Sequence, residues 1–184
     1  MAITLVVEDG TGLETANTYI SASDADLYNA NLGRAEWSVL DVEVKAAALI
    51  KATQFIDASF QWIGKKKTSA QGLKWPRIEG KTPDGIEIQL SDSDGFGIEG
   101  VPSPVSKAVA ETAFLSLTND LFQVADPNGK VIRDKTDVLE TEYQPESPSL
   151  KPAAPTLFSA VNLMLRGLYS ATTGGMVIGK AIRG

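Results

Sequence analysis

The chain contains no cysteine and no histidine, and these two absences remove a large share of protein chemistry. Without thiols there is no disulfide, no thiolate nucleophile and no thiolate metal site; without imidazole the commonest general base and metal ligand are missing. A protein that is not an enzyme, with no cofactor and no metal, is expected. Long apolar runs are also lacking. Lys, Asp, Gly or Pro interrupts every stretch well short of the ~20 residues needed to cross a bilayer, so no membrane partner is expected. The opening run Ile3-Thr4-Leu5-Val6-Val7 is too short for a signal sequence, has no basic residue before it and reads as a first strand. The expectation is a soluble protein, intracellular or part of an assembly formed there. Aromatics are scarce, at 7%. Positive charge is in deficit: 17 Lys and Arg stand against 23 Asp and Glu, for a formal charge of −6. Taken over the whole chain, that balance argues against a protein whose main work is gripping nucleic-acid backbone, because phosphate neutralisation needs clustered cations.

What is present suffices for one globular domain: 184 residues, 43% of them apolar, can bury a real core. The 16 Gly and 9 Pro leave room for arms and long loops. Four helices are predicted. Ser21-x-x-Asp24 can cap a first helix over about 22–32, with Ala25, Tyr28 and Leu32 on one face and Gly33 ending it. A second helix starts near Asp41 and runs to about Phe60 or Trp62. Val42, Ala46, Leu49, Thr53, Ile56 and Phe60 form its core stripe. A second apolar stripe, with Ala48, Ala52, Phe55, Ser59 and Trp62, lies about a third of a turn away, leaving Glu43, Gln54, Asp57 and Gln61 on the wet side. Two apolar faces mean either a central helix wrapped by its neighbours or one face kept for a partner subunit. Ala48, Ala52, Phe55, Trp62, Trp75, Ile86 and Ile88 are the candidate subunit-interface residues. Ser103-Pro104 opens a third helix, reaching about residue 122 and largely buried. The fourth covers about 156–170.

Between the helices the chain changes character. Residues 63–101 hold Lys65-Lys66-Lys67, several glycines, Trp75-Pro76 and the turn Pro83-Asp84-Gly85 before the alternating Ile86-Glu87-Ile88-Gln89-Leu90, and read as a hairpin or arm. Short strands are expected at about 130–143 after Pro127-Asn128-Gly129. Four prolines between 145 and 155 make an extended linker. Residues 171–184 form a Gly-rich, lightly basic tail, expected to be mobile until bound. One domain over 1–170 followed by this tail is the predicted organisation.

Few constellations carry chemistry. Gly10-Thr11-Gly12 lacks the remainder of a phosphate loop. Asp92-x-Asp94-Gly95-Phe96-Gly97 fails the calcium-loop pattern at its third acidic position, its glycine and its twelfth position. Carboxylate pairs such as Asp24 with Asp26, or Glu140 with Glu142, have no desolvating pocket in view, which leaves a carboxylate hydrolase without support. Lys65-Lys66-Lys67 between Trp62 and Trp75 is the one feature resembling a nucleic-acid surface, lysines holding phosphates and aromatics stacking bases. The competing reading is a solvated loop beside two structural tryptophans.

Leu5-Val6-Val7-Glu8-Asp9-Gly10-Thr11-Gly12-Leu13, Ala16-Asn17-Thr18-Tyr19-Ile20-Ser21 and Ala25-Asp26-Leu27-Tyr28 resemble the opening of a family of tailed-bacteriophage head-tail connector (adaptor, head completion) proteins. Ala47-Ala48-Leu49-Ile50-Lys51-Ala52-Thr53, Ile56-Asp57, Leu73-Lys74-Trp75-Pro76-Arg77, Pro104-Val105 with Lys107-Ala108, and Glu140-Thr141-Glu142-Tyr143 follow in the family's order. Members are also labelled DnaT-like single-stranded-DNA-binding proteins. The resemblance implies a mainly α fold, a small four-helix bundle with β-hairpin excursions and an extended C-terminal tail. It further implies a structural virion protein, assembled in the host cytoplasm, that forms a ring of about twelve copies under the portal protein. Such a ring would receive a downstream stopper or tail-completion protein and pass double-stranded DNA without specific binding. On that reading Glu140 and Glu142 would face the lumen, and the tail residues Met176, Val177, Ile178, Lys180, Ile182 and Arg183 would dock on the portal. A DnaT-like accessory protein binding single-stranded nucleic acid through the Lys65–Lys67 loop is the second reading.

Overall fold

A computed structural model describes residues 3–88, 100–121, 131–135, 140–143 and 159–170; for 131–135 and 140–143 it describes the backbone alone. Within these residues the protein is partly helical with small antiparallel two-stranded sheets. The helices are α1 (Ala22–Asn31), α2 (Ala35–Ser38), α3 (Val42–Ser59), α4 (Ser103–Leu115) and α5 (Ser159–Met164). The strands β1 (Lys65–Lys66) and β2 (Arg77–Ile78), β3 (Gly80–Lys81) and β4 (Glu87–Ile88), and β5 (Val131–Lys135) and β6 (Glu140–Tyr143) pair two by two.

Local chemistry sets the helix ends. Ser21 Oγ accepts from the Asp24 amide at 3.1 Å and donates to the Asp24 carboxylate at 2.6 Å, closing the first turn of α1. Gly33, at φ +70°, takes the chain out of it. Asp41 stands in extended conformation before α3, and Pro104 lies in the first turn of α4, where its missing N–H costs nothing. The core runs through α3 and α4. Ala46, Ala48, Leu49, Ala52, Thr53 and Ile56 of α3 are buried, as are Val105 and every residue from Ala108 to Ala113 of α4. Each Leu or Ile buried in this way contributes about 1.5–3 kcal/mol. Helix α4 touches α1, α3 and α5, so it holds the interior together.

The architecture does not reduce to four comparable helices around one axis, since α2 has 4 residues and α5 has 6. The expected first strand is also replaced. Only Val7 bridges, parallel, to Thr18, because the chain is turned by a side chain instead. The buried Glu8 carboxylate accepts the amides of Gly10 (2.9 Å), Gly12 (2.8 Å) and Leu13 (2.9 Å). Leu32, expected on the core face of α1, and Val42, expected to open the stripe of α3, are 52% and 71% exposed at helix ends that overhang the core.

The segment expected as a hairpin arm folds back on the molecule. Its Pro83-Asp84-Gly85 turn forms as predicted, with Gly85 donating to the Thr82 carbonyl and Thr82 to that of Ile86, both at 2.9 Å. Leu73, Trp75 and Ile88, however, belong to the same core as α3 and α4. Phe60, Trp62, Trp75 and Tyr169 interlock there. Trp62 meets Trp75 edge-on at 5.7 Å between ring centroids, and Phe60 lies 4.8 Å from Tyr169.

Candidate nucleic-acid interface

The basic residues of this acidic chain are unevenly spread. Between 63 and 81 the sequence holds Lys65, Lys66, Lys67, Lys74, Arg77 and Lys81 against one acid, Glu79. The structure makes that stretch a ribbon. Lys65 and Lys66 pair across to Ile78 and Arg77, the Lys67 amide donates to the Pro76 carbonyl, and β3 follows directly to pair with β4. Gly64 enters β1 at φ +73°, where any side chain would run into the Ile78 carbonyl.

The ribbon is anchored by its own polar groups. Arg77 donates to the carbonyls of Ile63 (2.6 Å), Lys74 (3.1 Å) and Gly64, and burial draws its pKa below the usual guanidinium value. Lys66 and Lys67 donate to the carbonyls of Gln71 (3.2 Å) and Gly10 (3.0 Å). A neutral carbonyl accepts a proton bond without cancelling charge, so these ammonium groups keep their field. Lys65 and Lys81 face Glu79 (2.6 Å) and Glu87 (3.7 Å) in exposed pairs, which water and salt weaken. Lys65, Lys66 and Lys67 all stand exposed to solvent.

At the ribbon's base three separated sequence motifs meet. The Tyr19 hydroxyl donates to the Asp57 carboxylate, at 2.8 and 2.9 Å from its two oxygens, and accepts the Trp75 amide at 2.9 Å. Asp57 Oδ2 also accepts the Lys74 amide at 2.9 Å. Burial pushes the Asp57 carboxyl above its ordinary range, opposed by the Lys74 amide, the Tyr19 hydroxyl and the ammonium groups of Lys74 and Lys66. Tyr19 is likewise raised by burial and by the Asp57 charge. Asp57, expected on the wet side of α3, is therefore half-buried and holds the loop that carries Lys74.

Other expected site residues fall elsewhere. Trp62 and Trp75 are 5% and 0% exposed, so neither can stack a base, and among the described residues no aromatic ring is exposed. Ala48, Ala52, Trp62, Trp75 and Ile88, proposed for a subunit interface, are buried in the chain's own core, Phe55 is half-buried against it, and Ile86 is half-buried. Glu140 and Glu142 lie on β6, in register with Lys135 and Arg133 of β5. The tail residues Met176, Val177, Ile178, Lys180, Ile182 and Arg183, and the calcium-like stretch from Asp92, lie outside the described residues. Asp26, of the Asp24/Asp26 pair, accepts Trp37 Nε1 at 2.7 Å and faces Lys45 at 3.0 Å, a structural use. Among the described residues no cluster of three acidic side chains could hold a metal, and no helix is long and apolar enough to cross a membrane.

A family model described as "Putative DnaT-like ssDNA binding protein" matches residues 3–184. The chain belongs to this DnaT-like family. No curated protein and no solved structure matches it. The family match corrects the connector function expected from the resemblance: what covers the chain is described by single-stranded-DNA binding, the reading that whole-chain charge had placed second. That charge argument averaged over the whole chain. A DnaT-like chain with a net charge of −6 still concentrates six cations in residues 63–81. The portal, the downstream tail component and the ring rested on the connector reading and are not carried further.

Proposed function

We propose that the protein is a single-stranded-nucleic-acid-binding accessory protein without catalytic activity, and that the ribbon at 63–81 is its contact surface. The observation that carries this reading is membership of the DnaT-like family over nearly the whole chain. The ribbon supplies the physics. Exposed ammonium groups on a short, well-anchored loop system replace condensed counterions along a phosphate backbone, and the entropy of their release drives association. The acidic remainder repels phosphate elsewhere, which confines the strand to the ribbon. With the tryptophans buried, affinity comes from phosphates rather than from stacking.

The test is fluorescence anisotropy with labelled single-stranded and duplex DNA of equal length. Binding of the single strand that falls at least tenfold in the Lys65→Gln, Lys66→Gln, Lys67→Gln triple variant is expected. Equal binding by the wild type and this variant would remove the ribbon from the interface.

A further inference from the structure

Beside the ribbon, between the C-terminal half of α3 and the 72–74 loop, lies a cleft of about 450 Å³, on the scale of small-ligand sites, about 300–1,000 Å³. Its lining includes Asp57, Gln54 and Ala58 from α3, together with Lys66 and Lys74. The Asp57 carboxylate offers roughly four acceptor positions. The chain supplies two hydrogens to them, one from the Tyr19 hydroxyl, shared between both oxygens, and one from the Lys74 amide. Acceptor capacity is therefore left over in a half-buried carboxylate lining the cleft. Only a hydrogen-bond donor can fill it. A phosphate cannot, since it brings acceptors and the same charge, but it can sit on Lys66 and Lys74.

We propose that this cleft receives one unstacked nucleotide of the bound strand, its phosphate held by Lys66 and Lys74 and the exocyclic amino group of its base donating to Asp57. This rests on the nucleic-acid reading above and adds a preference to it. Cytosine, whose N4 amino group is the usual partner of an acidic side chain, is favoured over thymine, which presents a carbonyl at the same position. Asp57 oriented by Tyr19 and the Lys74 amide is a preorganised acceptor, so the selection needs no rearrangement. Gln54, at the exposed rim, is placed to meet the remaining base edge.

The experiment measures affinities of labelled oligo(dC) and oligo(dT), each about eight nucleotides long, for the full chain at one low salt concentration. Oligo(dC) is expected to bind at least about fivefold more tightly. Asp57→Asn is expected to bring the ratio to about one. Ala58→Trp, which fills the cleft from its exposed rim and leaves the bonds of Asp57 in place, is expected to do the same, and this second variant guards against loss of folding in the first. Salt-sensitive binding with a dC-to-dT ratio of one in the wild type would overturn the cleft and leave the nucleic-acid reading standing. A wild-type preference that survives Ala58→Trp in a folded protein would also overturn it. Absence of binding by both oligonucleotides would remove the nucleic-acid reading and the cleft with it.

Discussion

Replacing Glu8 by Ala perturbs the turn on which the basic ribbon is seated. The carboxylate accepts three backbone amides, those of Gly10, Gly12 and Leu13, and none of them has a second acceptor among the described residues. The Gly10 bond is buried, and its amide left unmatched costs about 1–3 kcal/mol. The other two are half-buried and regain water in part, adding roughly 0.5–1 kcal/mol each. The sum is about 3 kcal/mol, and with a urea m-value of about 2 kcal/mol/M it lowers the denaturation midpoint by about 1.5 M. Glu8→Gln keeps one carbonyl oxygen but turns an NH₂ group toward an amide donor, so it should fall between Ala and the wild type. The loss propagates to the ribbon, because Lys67 donates to the Gly10 carbonyl and the Gly72 amide to that of Leu13. Urea unfolding followed by circular dichroism measures the three midpoints. A shift under 0.5 M for Glu8→Ala, or a Gln variant as stable as the wild type, would refute the role given to the carboxylate.

Two further outcomes follow from the geometry. Trp37, Trp62 and Trp75 are 1%, 5% and 0% exposed, so acrylamide should quench the native emission poorly and saturating single-stranded DNA should leave it nearly unchanged; strong quenching by DNA would mean that a tryptophan stacks on bases. Because burial raises the Asp57 pKa above 3.8, the folded protein binds that proton more tightly than the unfolded one. The associated stability is present at low pH and is lost as pH rises from 3.8 through the folded value. Subtracting the Asp57→Asn stability curve from that of the wild type should give a line falling with pH across this window, and a rising line would contradict the burial argument.

Helix periodicity located α3 and α4 because each couples a clear start signal to an apolar stripe, while α1 was legible from its Ser21 cap and Gly33 stop, and the Pro83-Asp84-Gly85 turn from its local turn residues. What escaped the sequence was long-range. Nothing near Glu8 announces that its side chain will gather three amides, and an apolar run followed by two glycines reads as a strand and a turn. The second apolar face of α3 could have met a partner or its own chain. The decision lies with residues 73, 75 and 88, which return from the 63–88 segment to cover the core together with residue 62 just before it. The candidate interface was half visible. Three consecutive lysines marked it, while Lys74, Arg77 and Lys81 joined them only once β1 paired with β2 and Asp57 had fixed the 72–74 loop.

The salt dependence of single-strand binding tests the central claim most directly. For single strands the slope of log K against log salt is about −0.7 per phosphate neutralised. Four cations of the ribbon, Lys66, Lys67, Lys74 and Arg77, face no carboxylate in a salt bridge among the described residues, which sets the expected slope near −3. The Lys65→Gln, Lys66→Gln, Lys67→Gln variant removes two of these four and should lose about 1.4 of that slope. A wild-type slope near zero, or one unchanged in the variant, would contradict the account.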